Sequence, residues 1–308
     1  MSKGLLRSLL PFISLAIVLG ATFYVQPRTM SYFGLNLMLQ YAVPIALATI
    51  AQMFIITVND LDLSIGPFVG LVGCISATLL YSNPALGILA LLVCIAAYAA
   101  MGALIHSRNL PAIVVTLGQS FVWLGIAVLI LPSPGGKAPE WLKAIMSVQL
   151  PLVPFPIVAA IVIGGAVHLA LMLSSYGVIA RGAGGNPKAM ERAGWSMLKT
   201  KSVMYAIAGL FGVLAGLSLL GLTTSADAHV ADRYTLYSIA GVILGGGEFV
   251  GGRVSPLGAV VGALTLALAG SFLIFLNINP DWQIGAQGAI LIIVLALKSL
   301  VVAWEQRR

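Results

Sequence analysis

Long apolar stretches follow one another along almost the whole chain, and very few charged side chains interrupt them. Of the 308 residues, 60% are hydrophobic and only 8% are charged, whereas a soluble domain carries roughly 25% charged residues. Such a chain cannot cover its core with a water-compatible surface, so lipid must be the solvent for most of it. The pattern predicts an all-α, polytopic transmembrane helical bundle.

A membrane-spanning helix needs about 20 predominantly apolar residues. On that basis we predict ten spans, of which the eighth is short and interrupted by glycines. The first follows two basic residues, as a signal peptide would, but no small-x-small cleavage site comes after it, so we interpret it as a transmembrane helix. The predicted spans cover residues 9–26, 37–58, 63–81, 85–105, 111–131, 152–174, 202–222, 236–250, 255–276 and 284–303.

Basic residues concentrate on the cytoplasmic side of membrane proteins. If the N-terminus lies in the cytoplasm, twelve basic residues fall inside and four outside. This asymmetry predicts two cytoplasmic termini, and these charges suit anionic lipid headgroups rather than nucleic acid. The outside residues are Arg28, Lys137, Lys143 and Arg233, and the inside residues are Lys3, Arg7, Arg108, Arg181, Lys188, Arg192, Lys199, Lys201, Arg253, Lys298, Arg307 and Arg308.

Several kinds of chemistry are missing from the sequence. No phosphate-binding loop of the form G-x-x-x-x-G-K-[ST] is present, so we do not expect this chain to bind ATP. Cys74 and Cys94 lie in apolar runs and are expected to be core residues, and the three histidines suggest no metal site. Every acidic residue falls in a loop or at a span end, which points to an external energy source. A sodium site made only of carbonyl and hydroxyl oxygens would escape this argument.

The longest predicted cytoplasmic loop, residues 175–201, contains the pattern of a short capped helix. Asn186 suits the N-cap, Pro187 suits the first helical position, and Gly194 suits a left-handed C-cap. Two helical turns are marginal in water. We therefore expect this helix to lie against a partner, either an ATPase that drives transport or the lipid headgroups.

Four segments occur in the order NDLDLSIG (59–66), LPAIVVTLG (110–118), GGNPKAMERAG (184–194) and VILGGGEFVGGR (242–253). Together they resemble the permease subunits of ribose-, xylose- and arabinose-type ABC importers, which are distantly similar to branched-chain amino acid permeases. The chain departs from that pattern at three places. Asn59-Asp60 stands where two glycines are usual, Glu248 where a small or hydroxyl residue is usual, and Trp195 where an aliphatic residue is usual.

The resemblance implies one permease domain, residues 1–308, in the bacterial inner membrane, which imports a monosaccharide and is not an enzyme. It implies a separate ATPase subunit that binds the ATP, a periplasmic sugar-binding protein, and a second permease copy or a paralogue; no cofactor is expected in this chain. The same architecture for a branched-chain amino acid or other small polar solute is an alternative, and a non-ABC carrier or an intramembrane enzyme is another. The implied ATPase contacts are Gly185, Asn186, Pro187, Ala189, Glu191, Ala193 and Gly194.

Uncharged polar side chains in or near the spans are candidates for the substrate pathway, because weak hydrogen bonds and an aromatic face let a sugar bind and leave. The alternative role for these side chains is hydrogen bonding between helices. The candidates are Gln52, Thr57, Asn59, Thr116, Gln119 and Trp123.

Other residues are expected to shape the backbone. Asp62 and Ser64 precede a helix, and we expect Asp62 to cap it, with direct contact to the substrate as the alternative role. Glycine pairs spaced four apart predict close helix packing: Gly66 with Gly70, Gly212 with Gly216, and Gly258 with Gly262. Residues 245–252 are predicted to be non-helical and to form either a gate or a plain cytoplasmic turn; their glycines include Gly245, Gly246, Gly251 and Gly252.

Overall fold

The computed structural model describes residues 3–276 and six isolated positions beyond them, 282, 285, 288, 289, 292 and 296. These residues form α-helices joined by short loops and contain no β-strand, only an isolated bridge between Gly135 and Ala226. The predicted all-α class is therefore confirmed for the described part of the chain. The tenth predicted span, 284–303, falls outside the continuously described residues.

The helices are numbered in chain order. Two of them, α4 and α8, continue as single π-helical segments, Ser76–Leu80 and Leu169–Leu173. The helices are α1 (Lys3–Val25), α2 (Tyr32–Leu39), α3 (Ala42–Thr57), α4 (Ile65–Ile75), α5 (Pro84–Ser107), α6 (Ala112–Ile130), α7 (Glu140–Met146), α8 (Phe155–His168), α9 (Ser175–Gly185), α10 (Pro187–Arg192), α11 (Met197–Thr223), α12 (Tyr234–Leu244) and α13 (Pro256–Phe275).

Five helices of the described residues are long and apolar enough to cross a membrane: α5, α6, α8 with its π-helical segment, α11 and α13. The bent pair α2 and α3, which meet at 41°, would make a sixth span. The chain is thus a polytopic membrane protein. The predicted span 236–250 is wrong in extent, because the helix ends at Leu244 where three consecutive glycines begin.

Helix α3 lies at the centre of the bundle. All of its residues are buried, as expected for a helix that is apolar on every face. It packs against α11, α12 and α13. Helix α6, by contrast, buries a single face with members three or four residues apart: Thr116, Ser120, Trp123 and Ala127.

The predicted close helix packing is confirmed for Gly212 with Gly216 and for Gly258 with Gly262, whereas Gly66 and Gly70 meet backbone carbonyls of residues 228–232, in the loop ahead of α12. A Cβ atom on Gly212 would lie 2.7 Å from the Phe68 ring, and one on Gly70 would overlap the carbonyl oxygen of Ala228. A Cβ atom on Gly258 would overlap the carbonyl oxygen of Gly245, just after α12. A Cβ atom on Gly262 would overlap the carbonyl oxygen of Gly241, within α12. Only glycine lets these backbones approach so closely.

Loop contacts divide the described loops into two groups at opposite ends of the bundle. At one end, the Gly135 and Ala226 backbones exchange two hydrogen bonds (2.9 and 2.8 Å), and Lys137 N–H donates to Ala77 O (3.1 Å). At the other end, the turn after α3 meets residues 181–185 and 251–252. The two groups lie at opposite ends of α11, since Lys201 near its start pairs with Asp60 after α3, and Thr224 at its end accepts a hydrogen bond from Ala138 N–H.

Candidate functional site

The predicted capped helix is present as α10. Asn186 accepts a hydrogen bond from Ala189 N–H (3.1 Å), Pro187 occupies the first turn, and Gly194 has a φ of +88°. Its local structure is therefore confirmed. The seven residues expected to contact an ATPase are all exposed and lie in one stretch of the chain. They are Gly185, Asn186, Pro187, Ala189, Glu191, Ala193 and Gly194.

The turn between α3 and α4, residues 58–64, is called the α3–α4 turn. Asn59 adopts a left-handed conformation (φ +68°), and its side-chain oxygen accepts a hydrogen bond from Gly251 N–H (3.1 Å). Just before the turn, Thr57 O contacts Gly184, where a Cβ would overlap it. The end of α3, the end of α9 and the glycine-rich segment therefore meet at one point.

Asp60 links this turn to the beginning of α11. Lys201 Nζ donates to both carboxylate oxygens of Asp60 at 2.9 Å, and the Tyr205 hydroxyl donates to Oδ2 at 3.1 Å. The side chain of Asp60 is only 9% exposed and that of Lys201 22%. A shielded, bidentate ion pair with a further hydrogen bond fixes its geometry more strictly than a surface pair does.

Asp62 is buried, and this corrects two expectations. Its Oδ1 accepts hydrogen bonds from the backbone N–H and hydroxyl of Ser64 (both 2.7 Å), and its Oδ2 accepts one from the Tyr98 hydroxyl (2.8 Å). Asp62 thus orders the turn ahead of α4, whereas the N-cap position belongs to Ser64, which makes no side-chain cap bond. The bundle interior also contains a carboxyl group, which the position of Asp62 in a loop did not suggest.

Three pathway candidates make hydrogen bonds within the protein. In the amide orientation that satisfies both bonds, Gln52 donates to Asp62 O (3.0 Å) and accepts from Asp62 N–H (3.1 Å). The Thr116 hydroxyl accepts from Leu63 N–H (3.1 Å), and the Thr57 hydroxyl donates to Met53 O (2.7 Å). Gln52 on α3 and Thr116 on α6 therefore both hold the backbone of the α3–α4 turn.

The other pathway candidates lie in different surroundings. Asn59 is exposed and Gln119 is partly exposed on α6. Trp123 is buried, stacks parallel to Tyr98 at 6.1 Å and contacts Phe68 at 5.4 Å between ring centroids. Its Nε1 has no hydrogen-bond partner among the described residues. The structure therefore does not bring the six candidates into one lined channel.

The glycine-rich segment, residues 245–252, is non-helical as predicted. Gly246, Gly251 and Gly252 have φ values of +94°, +90° and +64°, a region that favours glycine. Gly245 packs against Gly258, and Gly252 against the carbonyl of Arg181. The segment is held between the end of α9 and the α3–α4 turn.

At the beginning of α4, the Gly66 N–H donates a hydrogen bond to the Thr235 hydroxyl of α12 (3.0 Å).

Sequence reasoning missed the two hydroxyl groups that complete these clusters. Tyr98 and Tyr205 lie inside apolar spans, and they approach the acidic residues only after α5 and α11 pack together at Gly102 and Gly209. A tyrosine in each helix was the only available signal. Within the described residues, no group of three His, Cys, Asp or Glu side chains is suited to bind a metal.

An all-helical bundle of apolar spans that carries an exposed short helix is the architecture of a multi-pass membrane protein. The chain belongs to the family described as branched-chain amino acid transport system / permease component, whose model matches residues 34–295. No solved structure gave a significant match.

Relatives of this chain are similar along most of their own length. The galactose/methyl galactoside import permease MglC of Haemophilus influenzae is 26% identical over 97% of this chain and 96% of its own length. The ribose import permease RbsC of Bacillus subtilis is 26% identical over 96% of this chain and 93% of its own. The probable ABC transporter permease YphD of Escherichia coli is 27% identical over 85% and 80%. The resemblance to ABC import permeases is thereby confirmed.

Proposed function

We propose that this chain is the membrane permease subunit of an ABC importer that moves a monosaccharide into the cytoplasm. The observation that carries the proposal is the similarity, over nearly the whole chain, to permeases named for galactose and for ribose. Because the chain is equally identical in sequence to the galactose permease and to the ribose permease, the similarity indicates a monosaccharide but does not single out one sugar.

The proposed topology has ten spans, with both termini in the cytoplasm, in a single domain of residues 1–308. The division of loops into two ends supports the alternation of the first nine spans. The end that carries α10 also carries Arg181, Lys188 and Arg192, as expected for the cytoplasmic side.

The proposed partners are an ATPase subunit that binds the ATP, a periplasmic sugar-binding protein and a second permease copy or paralogue. Helix α10 is the proposed ATPase contact. Two observations support this contact. An exposed helix of two turns has only marginal stability by itself, and α10 is held in place at its two ends by α9 and α11. The chain itself is proposed to hold no cofactor.

The proposed pathway is restricted to Asn59, Gln119 and Trp123 among the six candidates. Gln52, Thr57 and Thr116 are buried and already make internal hydrogen bonds, and breaking these to bind a sugar would leave buried polar groups unpaired. Asn59 also accepts a hydrogen bond, from Gly251 N–H, but its side chain is exposed. Replacing Gln119 by Leu should slow uptake at normal expression. Unchanged uptake would remove Gln119 from the pathway.

The function is tested by purifying the tagged chain from native membranes and identifying what accompanies it. We expect an ATPase and a soluble binding protein. The binding protein is then heated with galactose, ribose, fructose or leucine, and a bound ligand raises its melting temperature. In proteoliposomes, the loaded binding protein should stimulate ATP hydrolysis and uptake together.

Each outcome decides one part of the proposal. Stabilisation by leucine and by none of the sugars would replace the monosaccharide with an amino acid, in line with the family description. Uptake that continues without ATP or an ATPase would overturn the ABC mechanism.

A further inference from the structure

The Asp60 cluster, formed by Asp60, Lys201 and Tyr205, joins two parts of the chain that are 141 residues apart. Lys201 lies one helical turn into α11, and α11 is joined to the end of α10 by residues 193–196. Asp60 lies in the α3–α4 turn. Its carboxylate therefore connects the beginning of α11, the helix that follows α10, directly to that turn.

The segment before α10 reaches the same turn. Gly184, three residues ahead of Pro187, contacts Thr57 O, while Gly252 fits against Arg181 O and Gly251 N–H donates to Asn59. A displacement of α10 would thus be passed to the α3–α4 turn through the chain before α10 and through the chain after it. The contact through Gly184 is only van der Waals packing, whereas the contact through Asp60 is directional and charged.

The α3–α4 turn in turn holds the buried polar groups. Two residues beyond Asp60, Asp62 accepts hydrogen bonds from Ser64 and Tyr98, and its backbone pairs with Gln52. Tyr98 stacks on Trp123. A shift of the turn must therefore change the positions of side chains in the centre of the bundle.

We propose that Asp60 is a positioning residue that, through Lys201 and Tyr205, couples movement of α10 to the α3–α4 turn and so ties ATP hydrolysis to solute movement. This inference rests on the proposed ABC function. Without the ion pair, the ATPase still docks on α10, but its movement is only partly passed to the turn.

The test compares Asp60→Asn, Lys201→Met and the exchanged pair Asp60→Lys with Lys201→Asp in proteoliposomes that hold the complete transporter. The control is Lys143→Met, which breaks the exposed ion pair with Glu140 (2.8 Å) on α7, at the other end of the bundle. For each variant we measure solute moved, ATP hydrolysed and the amount of assembled complex.

Asp60→Asn and Lys201→Met should each lower the ratio of solute moved to ATP hydrolysed by at least about fivefold, the lower end of coupling between distant sites. The exchanged pair should recover part of this ratio, and Lys143→Met should leave it unchanged. A merely structural role would lower assembly, transport and hydrolysis in proportion and leave the ratio unchanged, and that result would also overturn the proposal.

An unchanged ratio in Asp60→Asn and Lys201→Met, with stimulated hydrolysis intact, would overturn the role of Asp60 and leave the ABC function standing. If the unsubstituted chain shows no ATPase-dependent uptake, the proposed function itself has failed. The two failures are therefore distinguishable in one set of measurements.

Discussion

Gly184 and Gly185 are neighbours at the end of α9 but differ in the space around them. A Cβ on Gly184 would overlap Thr57 O and lie 2.9 Å from Gly252 Cα, whereas a Cβ on Gly185 would approach only Gly251 O, at 3.5 Å. In a helix, alanine is otherwise more favourable than glycine by roughly 0.5–1 kcal/mol. The two positions therefore separate steric overlap from helix propensity.

We expect Gly184→Ala to be destabilised by about 1–3 kcal/mol, the usual cost of overpacking. Gly185→Ala should be as stable as the unsubstituted chain, or slightly more so. The measurement is thermal unfolding in detergent, followed by size-exclusion chromatography. Equal melting temperatures for the two variants would contradict the close contact between α9 and the end of α3.

Asp62 gives a second prediction at this scale. Asp62→Leu removes the acceptor for the Ser64 N–H and for the Ser64 and Tyr98 hydroxyl groups. Buried donors left unpaired cost about 1–3 kcal/mol each, so the melting temperature should fall strongly. Asp62→Asn keeps one oxygen acceptor, and its melting temperature should fall less. Similar losses in both variants would argue against these hydrogen bonds.

Neither acidic cluster could be predicted from the sequence. Asp60 and Asp62 are two residues apart in a predicted loop, where exposure is the usual expectation. Their partners, Lys201, Tyr205 and Tyr98, lie in distant helices and come close only through helix packing. The packing of α5 against α11 has no local sequence signal other than small residues such as Gly102 and Gly209, which allow the two helices to approach.

Helix α10, at the scale of the element, could be predicted almost completely. Its cap, its proline and its terminal glycine act through bonds within a few residues, so sequence alone contains the information. The outer helices α5 and α6 also lie close to their predicted spans, 85–105 and 111–131. Prediction was poorer at α12 and at the bend between α2 and α3, because tertiary contacts decide those boundaries.

The cap of α10 provides a prediction of its own. Asn186→Ala removes the acceptor for Ala189 N–H and should cost the helix about 1 kcal/mol. If α10 must be helical to bind the ATPase, affinity should fall about fivefold. Binding of purified ATPase to the immobilised permease measures this effect.

Lys188→Ala is the matched control for the cap, because it changes an exposed residue of the same helix without removing the cap acceptor. Alanine is a good helix former, so the helix itself should persist. Equal affinities for Asn186→Ala and the unsubstituted chain would show that the cap has no part in ATPase binding.

The orientation of the whole molecule in the membrane can be tested by cysteine labelling, because its two native cysteines are shielded. Cys74 and Cys94 are both buried, so new cysteines at exposed positions can be labelled against a low background. Lys188→Cys, on α10, should react with a membrane-impermeant maleimide only after the cytoplasmic side is opened. Lys143→Cys, on α7, should react from the outside. The reverse pattern would invert the proposed orientation.

Helix α12 has a consequence for how the protein is made. Its eleven residues extend about 16 Å at 1.5 Å per residue, roughly half of the 30 Å hydrocarbon core. Such a segment is too short to anchor a nascent chain by itself. Because Gly241 and Gly245 pack directly on α13, we expect α12 and α13 to leave the translocon and enter the bilayer as one hairpin. A ribosome that stalls between them should therefore yield a product in which α12 is not retained in the membrane.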